Sequence, residues 1–150
     1  MLTLQEISDR LEIQKLLVDY ATAIDQKQID RLSDIFLPDA FVSYAPYGGR
    51  EGAFSEIKDW LAEALEGYPA SQHLVANPDI TIEGDIAKGR VMCFNPLVTE
   101  DAAGKRGLTM LGLWYVDTYV RTAQGWRIAS RSEEPCWIHS GDEGAQLGAV

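Results

Sequence analysis

Five side chains combine acid–base or charge chemistry with places where polar groups are inconvenient: Tyr20, Asp25, Tyr44, His73 and Arg131. Stepping back from Asp25 by four, seven and eight residues finds Ala21, Val18 and Leu17, so Asp25 continues an apolar face of the helix before it. It also stands at the C-terminal end of that helix, where the dipole disfavours a carboxylate, and so wants a cationic or N–H-donating partner. His73 is the candidate, because it opens the first long strand and is the only histidine in the body of the chain; His139 falls in the tail. A histidine oriented by a buried carboxylate is a general base suited to neutral pH. The structural alternatives are that Asp25 staples the turn into the next helix and that His73 is a hydrogen-bonded core or edge residue. Tyr20 and Tyr44 have apolar neighbours, and each needs a partner for its hydroxyl if buried. Arg131 follows Ile128 and Ala129, which read as buried, and a buried arginine answers a carboxylate or an anionic ligand. Glu133 and Glu134 stand close enough in sequence to supply an internal ion pair instead.

The elements that must position these groups can be read from spacing. Thr3-Leu4-Gln5-Glu6 is a capping-box pattern, and Leu4, Ile7, Leu11, Leu17, Ala21 and Ile24 then recur at helical steps, predicting an amphipathic helix to about Ile24. A short second helix with Ile29, Leu32, Ile35 and Phe36 is expected to stop at Pro38, followed by a strand over Asp39 to Ala45. The glycine-rich loop Pro46 to Gly52 leads to a third helix built on Phe54, Ile57, Trp60, Leu61, Ala64 and Leu65 and ended by Gly67. Everything after Ser71 reads as sheet, with turns at Glu83-Gly84-Asp85, Thr99 to Arg106 and Thr122 to Gly125, and strands at Val91 to Val98, Leu108 to Arg121 and Trp126 to Arg131. Helices gathered in the N-terminal half and then a run of antiparallel strands define an α+β fold, with the three helices on one face of the sheet. The strand from Leu108 is apolar on both alternations: Met110, Trp114 and Val116 on one, Leu111, Leu113 and Tyr115 on the other. Both faces need cover, so a homo-oligomer is expected, a dimer or a trimer.

Composition limits the rest. With 13 Lys and Arg against 23 Asp and Glu, the formal charge is -10 over 150 residues, which excludes a phosphate-backbone partner and describes one acidic domain, residues 1–150. The longest stretch free of Asp, Glu, Lys and Arg, Gly67 to Pro78, falls far short of the ~20 apolar residues of a membrane span. Glu6, Asp9, Arg10 and Glu12 exclude a secretory leader, so a cytoplasmic location is expected. Cys93 and Cys136 form no metal-binding spacing and read as core thiols; no metal is expected. Nucleotide-binding loops, G-x-S-x-G and H-E-x-x-H are absent from the sequence.

The order of elements, the stretch Ile13 to Ala21, Asp25, the strand around Ala40-Phe41-Val42, and the late Tyr115-Val116-Asp117 and Gly125-Trp126-Arg127-Ile128 resemble the SnoaL-like branch of the NTF2-like superfamily. The resemblance covers nearly the whole chain, Leu4 to Trp137. Within that branch it is similar to the group holding scytalone dehydratase, hexachlorocyclohexane dehydrochlorinase and bile-acid 7α-dehydratase. It implies a cone-shaped, curved sheet around a cavity, a His-Asp dyad, no cofactor and commonly a trimer. Asp25 and His73 match the dyad. Tyr20 matches a tyrosine one turn before that Asp in the bile-acid enzyme, and Arg131 an arginine placed in the cavity. Tyr44 matches a tyrosine with which scytalone dehydratase holds water. The second catalytic histidine of scytalone dehydratase has no counterpart, and the ketosteroid isomerases carry an Asp near the position of Tyr44, which argues against both of those activities here.

What the resemblance implies for this chain is a lyase of dehydratase type, removing a proton and a leaving group from a small ring-bearing or steroid-like hydroxy-carbonyl compound. His73, held by Asp25, would take the proton; Tyr20 or Arg131 would meet the charge of the enolate; His73 or Tyr44 would return a proton to a departing hydroxide. Tyr115, Leu113 and Cys93 are expected to line an apolar wall. The alternatives are a small-molecule-binding protein or accessory subunit of the same fold, and an isomerase or cyclase using the same dyad. The dyad requires hydrogen-bond reach between Asp25 and His73, with a cavity behind them.

Overall fold

The computed structural model of the chain describes residues 1–141. The capping box forms as read: Thr3 Oγ1 accepts from the Glu6 N–H at 3.1 Å and the Glu6 carboxylate accepts from the Thr3 N–H at 2.6 Å, starting helix α1 (Leu4–Asp25). Its buried side agrees with the one the spacing suggested in the second half of the helix and departs from it in the first. Of the six residues on the expected face, Leu17, Ala21 and Ile24 are buried but Leu4, Ile7 and Leu11 are exposed; Asp9, Ile13, Leu16, Tyr20 and Ala23 complete the buried side. The helix carries apolar residues on more than one side, so period alone cannot choose the core face.

The expected second helix is only a six-residue 3-10 turn, Ile29–Asp34, and strand β1 begins earlier than expected, at Phe36–Ser43. Pro38 therefore lies inside a strand. The pairing of β1 with its neighbour is irregular between Phe36 and Phe41, so the missing N–H at Pro38 breaks no regular ladder. A second 3-10 turn (Ala45–Tyr47), strand β2 (Glu51–Ala53) and helix α2 (Phe54–Glu66) follow. The chain then enters β3 (Ala70–Ser71), β4 (Leu74–Glu83), β5 (Ile86–Glu100), β6 (Arg106–Thr122) and β7 (Gly125–Gly141). Strand β7 runs ten residues past Arg131, so His139 is part of the sheet and not of a tail. The strands form one strongly curled sheet in the order β2-β1-β7-β6-β5-β3, with β4 also paired to β5; β1 and β7 run parallel and the other pairs antiparallel. Side chains of α1 and α2 pack with those of β1 and of β4 to β7 into one buried cluster.

Two irregularities in β7 decide which of its residues face that cluster. Across β6, Tyr119 pairs with Ile128 but Thr118 with Ser130, and Leu113 pairs with Pro135 but Gly112 with Trp137. Ala129 and Cys136 are thus the extra residues of two bulges. The first switches the inward set from Trp126 and Ile128 to Arg131 and Glu133. The second leaves Cys136 exposed, so it is not the core thiol that its apolar neighbours suggested; Cys93 is buried. The outer face of the sheet keeps Val116 and Trp137 43% and 46% exposed.

Asp9 ties α1 to the far end of the β6–β7 hairpin. Only 2% exposed, it accepts from Arg121 Nη2 at 2.8 Å, from Trp126 Nε1 at 3.1 Å and from Gln5 Nε2 at 3.0 Å. The hydrogen bonds from Arg121 hold its carboxyl far below the usual carboxylate range, with Trp126 and Gln5 adding to them against the opposing effect of burial. Asp9→Ala leaves the buried indole N–H without its acceptor and is expected to cost ~1–3 kcal/mol in urea unfolding. Because the folded-state pKa is depressed, Asp9 stabilises the protein above its ordinary value of 3.8 and ceases to do so as pH falls through the depressed one. The acid limb of stability should therefore be flatter in Asp9→Ala than in the parent; parallel limbs would refute this role.

Candidate functional site

Asp25 is the last residue of α1, and its side chain reaches past the helix end to β3 and the start of β4. Oδ1 accepts from Ser71 Oγ at 2.8 Å and lies 2.6 Å from His73 Nδ1, while Oδ2 accepts from the His73 backbone N–H at 2.8 Å. These donors answer the carboxylate that the helix dipole disfavours. Burial pushes the Asp25 carboxyl up, but the hydrogen bonds and charge of His73, with Ser71, outweigh it and hold the carboxyl below its ordinary range. The Asp25 carboxylate points to His73, not to the turn after α1. An ionised carboxylate only accepts, so the hydrogen between the two groups is on Nδ1, and Nε2 is the ring nitrogen left for another partner. Asn95, 5% exposed, packs its amide against the same ring and donates to the Gln72 carbonyl at 3.1 Å, fixing the segment before β4.

Tyr20, on the inner face of α1, stands edge-on to His73 with ring centroids 6.3 Å apart. Its hydroxyl meets that of Tyr44 at 3.2 Å. Tyr44 lies just beyond β1, at the start of the 3-10 turn Ala45–Tyr47, not within the strand that was expected to run to Ala45. Its carbonyl accepts from the N–H groups of Tyr47 and Gly49 at 3.2 and 3.0 Å. Gly48 takes a left-handed φ of 82° to close this turn, and at Gly49 a Cβ would come within 2.6 Å of Tyr44 Cβ and 2.8 Å of Trp60 Cη2. Gly48 thus supplies the turn, and Gly49 the close approach of the loop to Tyr44 and to the Trp60 ring. Burial pushes the Tyr20 hydroxyl up in pKa, with Arg131 opposing, and pushes Tyr44 well up, reinforced by Tyr20.

These groups surround a cavity of about 220 Å³ between α1, α2 and the sheet. Ile24, Leu61, Ala64, Leu65, Leu97 and Leu111 supply apolar wall, Trp60, Tyr47 and Tyr68 aromatic wall, and Tyr20, Tyr44, His73, Asn95 and Glu133 polar groups. A mostly apolar concavity with a few convergent polar atoms is the usual form of a small-ligand site.

Four expected site residues are placed elsewhere. Cys93, Leu113 and Tyr115 do not line this cavity; they are buried in the layer behind it, where Cys93 pairs with Leu113 across β5 and β6. The wall is formed by Asn95 and Leu111, two residues along the same strand faces toward the open end, because side chains of one face recur every second residue. Arg131, with 0% exposure, also lies behind the cavity. Its Nε and Nη2 donate to the two carboxylate oxygens of Asp117 at 2.8 and 2.6 Å, and its guanidinium is stacked between Tyr20 and Tyr115, 4.2 and 4.0 Å from the ring centroids. Neither Glu133 nor Glu134 is its partner; Glu134 accepts from Arg90 at 2.8 Å. Arg131 thus supports Tyr20 from behind and is not an oxyanion site. Asp117, Asn95, Trp60 and Glu133 were not expected as site residues; Glu133 was expected only as an alternative ion-pair partner of Arg131 and Trp60 only as a core residue of its helix. Only the hairpin register, which sets Asp117 opposite Arg131 and Tyr115 opposite Glu133, identifies two of them.

The curled sheet closed by two helices around a cavity is the NTF2-like α+β fold. Residues 5–132 match the SnoaL-like domain family, and the chain belongs to that family, in the SnoaL-like branch of the NTF2-like superfamily. An uncharacterized protein of Mycobacterium tuberculosis is 47% identical over 137 residues, covering 91% of this chain and 92% of the relative. Hexachlorocyclohexane dehydrochlorinase LinA-type3 of Novosphingobium barchaimii superposes with a TM-score of 0.77 at 16% identity, over 95% of this chain and 97% of that one. A provisionally assigned scytalone dehydratase of Novosphingobium aromaticivorans does so with a TM-score of 0.74 at 21% identity, over 96% and 92% of the two chains. At these identities the two structures attest a common fold. Among the described residues no helix is long and apolar enough to cross a membrane.

Proposed function

We propose that the protein is a lyase that removes water from a small cyclic or aryl β-hydroxy carbonyl compound by proton abstraction. The observation that carries this reading is the 2.6 Å contact between Asp25 and His73 Nδ1 on the wall of an apolar cavity. His73 Nε2 takes the acidic proton next to the carbonyl, Asp25 stabilises the imidazolium, and the carbonyl oxygen accepts from the Tyr20–Tyr44 hydroxyl pair as its charge grows. The C–O bond then breaks as a C=C bond forms, and the departing hydroxyl takes up a proton from an acid on the cavity wall to leave as water. Tyr20 holds its orientation because Arg131 and Tyr115 pack against it. The dehydratase and dehydrochlorinase names among the structural relatives are consistent with this chemistry, although fold does not dictate function. A cavity of about 220 Å³ is below the ~300–1,000 Å³ typical of drug-sized ligands, which favours a one-ring substrate over a steroid.

The test is a panel of cyclic and aryl β-hydroxy ketones, followed by the rise of conjugated-enone absorbance, with His73→Ala run beside the parent. Turnover in the parent and its loss in the variant are expected; equal turnover in both would discard the mechanism. A second copy of the chain against the outer sheet face, where Val116 and Trp137 are exposed, completes the proposal, and sedimentation as a monomer would remove that part.

A further inference from the structure

Glu133 is the one acidic group on the cavity wall that the mechanism above leaves unassigned. The bulge at Ala129 turns it inwards from β7, two residues beyond Arg131. Of the charged residues beside it on β7, Arg131 is paired with Asp117 through Nε and Nη2, its Nη1 having no hydrogen bond among the described residues, and Glu134 is paired with Arg90. Glu133 itself has neither a hydrogen bond nor an ion pair among the described residues. The titratable groups around it are Tyr20 from α1, Tyr44 and Tyr47 from the second 3-10 turn, Tyr115 from β6, Cys93 from β5 and Arg131 from its own strand. His73 shares the cavity. Its segment joins β3 and β4, both of which pair with β5, whereas Glu133 is on β7; β6 and β5 intervene. At ~4.8 Å per strand the two stand ~14 Å apart along the curled sheet, and both side chains line the same cavity.

We propose that Glu133 is the general acid of the elimination, delivering a proton to the departing hydroxyl from the wall opposite His73. The inference rests on the dehydratase reading above. In this step the C–O electron pair leaves with the oxygen, the Glu133 carboxyl O–H bond breaks toward that oxygen, and water and a Glu133 carboxylate result. His73 holds the proton taken from carbon. Loss of that proton to solvent and gain of one by Glu133 restore both groups, so the net reaction is substrate to enone plus water. Burial pushes the Glu133 carboxyl up to about 7, with Arg131 opposing, so a large share is protonated at neutral pH. The phenols of Tyr20 and Tyr44, pushed upward, are far weaker proton donors and are left to donate hydrogen bonds.

The experiment compares a β-hydroxy ketone with its β-chloro analogue, whose leaving group needs no proton. Glu133→Gln, nearly isosteric, is expected to lower kcat/KM for the hydroxy compound by ~10²–10⁴ and to leave the chloro compound within about tenfold. His73→Ala is expected to lower both. In the parent, turnover of the hydroxy compound should fall as pH rises past about 7, because the protonated carboxyl is lost, and that limb should be missing with the chloro compound. If Glu133→Gln affects both substrates alike, or neither, the acid role is overturned while the base role stands; if His73→Ala leaves both unchanged, the dehydratase reading fails. Independently of any substrate, infrared difference spectra of the parent should show a protonated-carboxyl band at pH about 6 that fades by about 8 and is absent from Glu133→Gln. No such band would overturn the proposal.

Discussion

Asp117→Ala is expected to destabilise the fold by about 3–5 kcal/mol, the largest effect of any single truncation considered, because it leaves the Arg131 guanidinium charged, dry and without its counter-ion. Both side chains are fully shielded from solvent, and Asp117 also accepts from the Tyr119 hydroxyl at 2.6 Å. Among the described residues Arg131 Nη1 has no hydrogen-bond partner, and the Asp117 carboxylate accepts from both Nε and Nη2. The measurement is a urea titration, in which the midpoint should fall at nearly constant slope. A loss under about 1 kcal/mol would mean that water or another carboxylate replaces Asp117. Replacing Asp117 and Arg131 together by apolar residues of similar volume should cost far less than Asp117→Ala alone, since removing both charges also removes their desolvation. Such a double variant would also withdraw the cation packed behind Tyr20, and so separates the structural role of the pair from any effect on turnover.

His73→Ala is expected to lower kcat/KM by ~10²–10⁴, the usual contribution of a positioned general base. The more searching comparison is with Asp25. If Asp25 acts through His73, Asp25→Ala should show a loss of similar order, and the double variant should be little worse than either single one, because groups that act as a unit do not add. Losses that multiply would instead mean two independent roles. Asp25→Ala also removes the acceptor of Ser71 and of the His73 backbone, so its urea midpoint should fall, and turnover has to be compared at temperatures where both variants are folded. His73→Asn offers a second check, since it keeps a polar side chain at the site while removing the base.

The parts of this protein that spacing made legible are those governed by local rules. The capping box at Thr3 and Glu6, the helix from Phe54 to Glu66 and the hairpin turns at Gly84 and Gly125 depend on a few neighbouring residues, and they form where read. Asp25 stood out for a related reason, as a carboxylate that its helix does not satisfy, and His73 as its candidate partner, the only histidine expected in the body of the chain. Where several local solutions were comparable, the reading went wrong. Around Phe36 and Pro38 a helix and a strand competed, and pairing with β7 decided for the strand. On α1 two apolar sides competed, and packing against the sheet buried the one that includes Asp9.

By itself, the sequence determined an acidic α+β chain with helices ahead of a long antiparallel sheet, a carboxylate in want of a partner and a histidine that could be it. The tertiary structure alone decided that Arg131 answers Asp117, that Cys93, Leu113 and Tyr115 lie behind the cavity, and that Glu133 enters it. The physical reason is strand register. A strand's inward set follows a period of two until a bulge adds one residue, and one residue exchanges the two faces. The bulges at Ala129 and Cys136 leave no local mark in composition, yet they choose which side chains of β7 meet the cavity and which meet solvent.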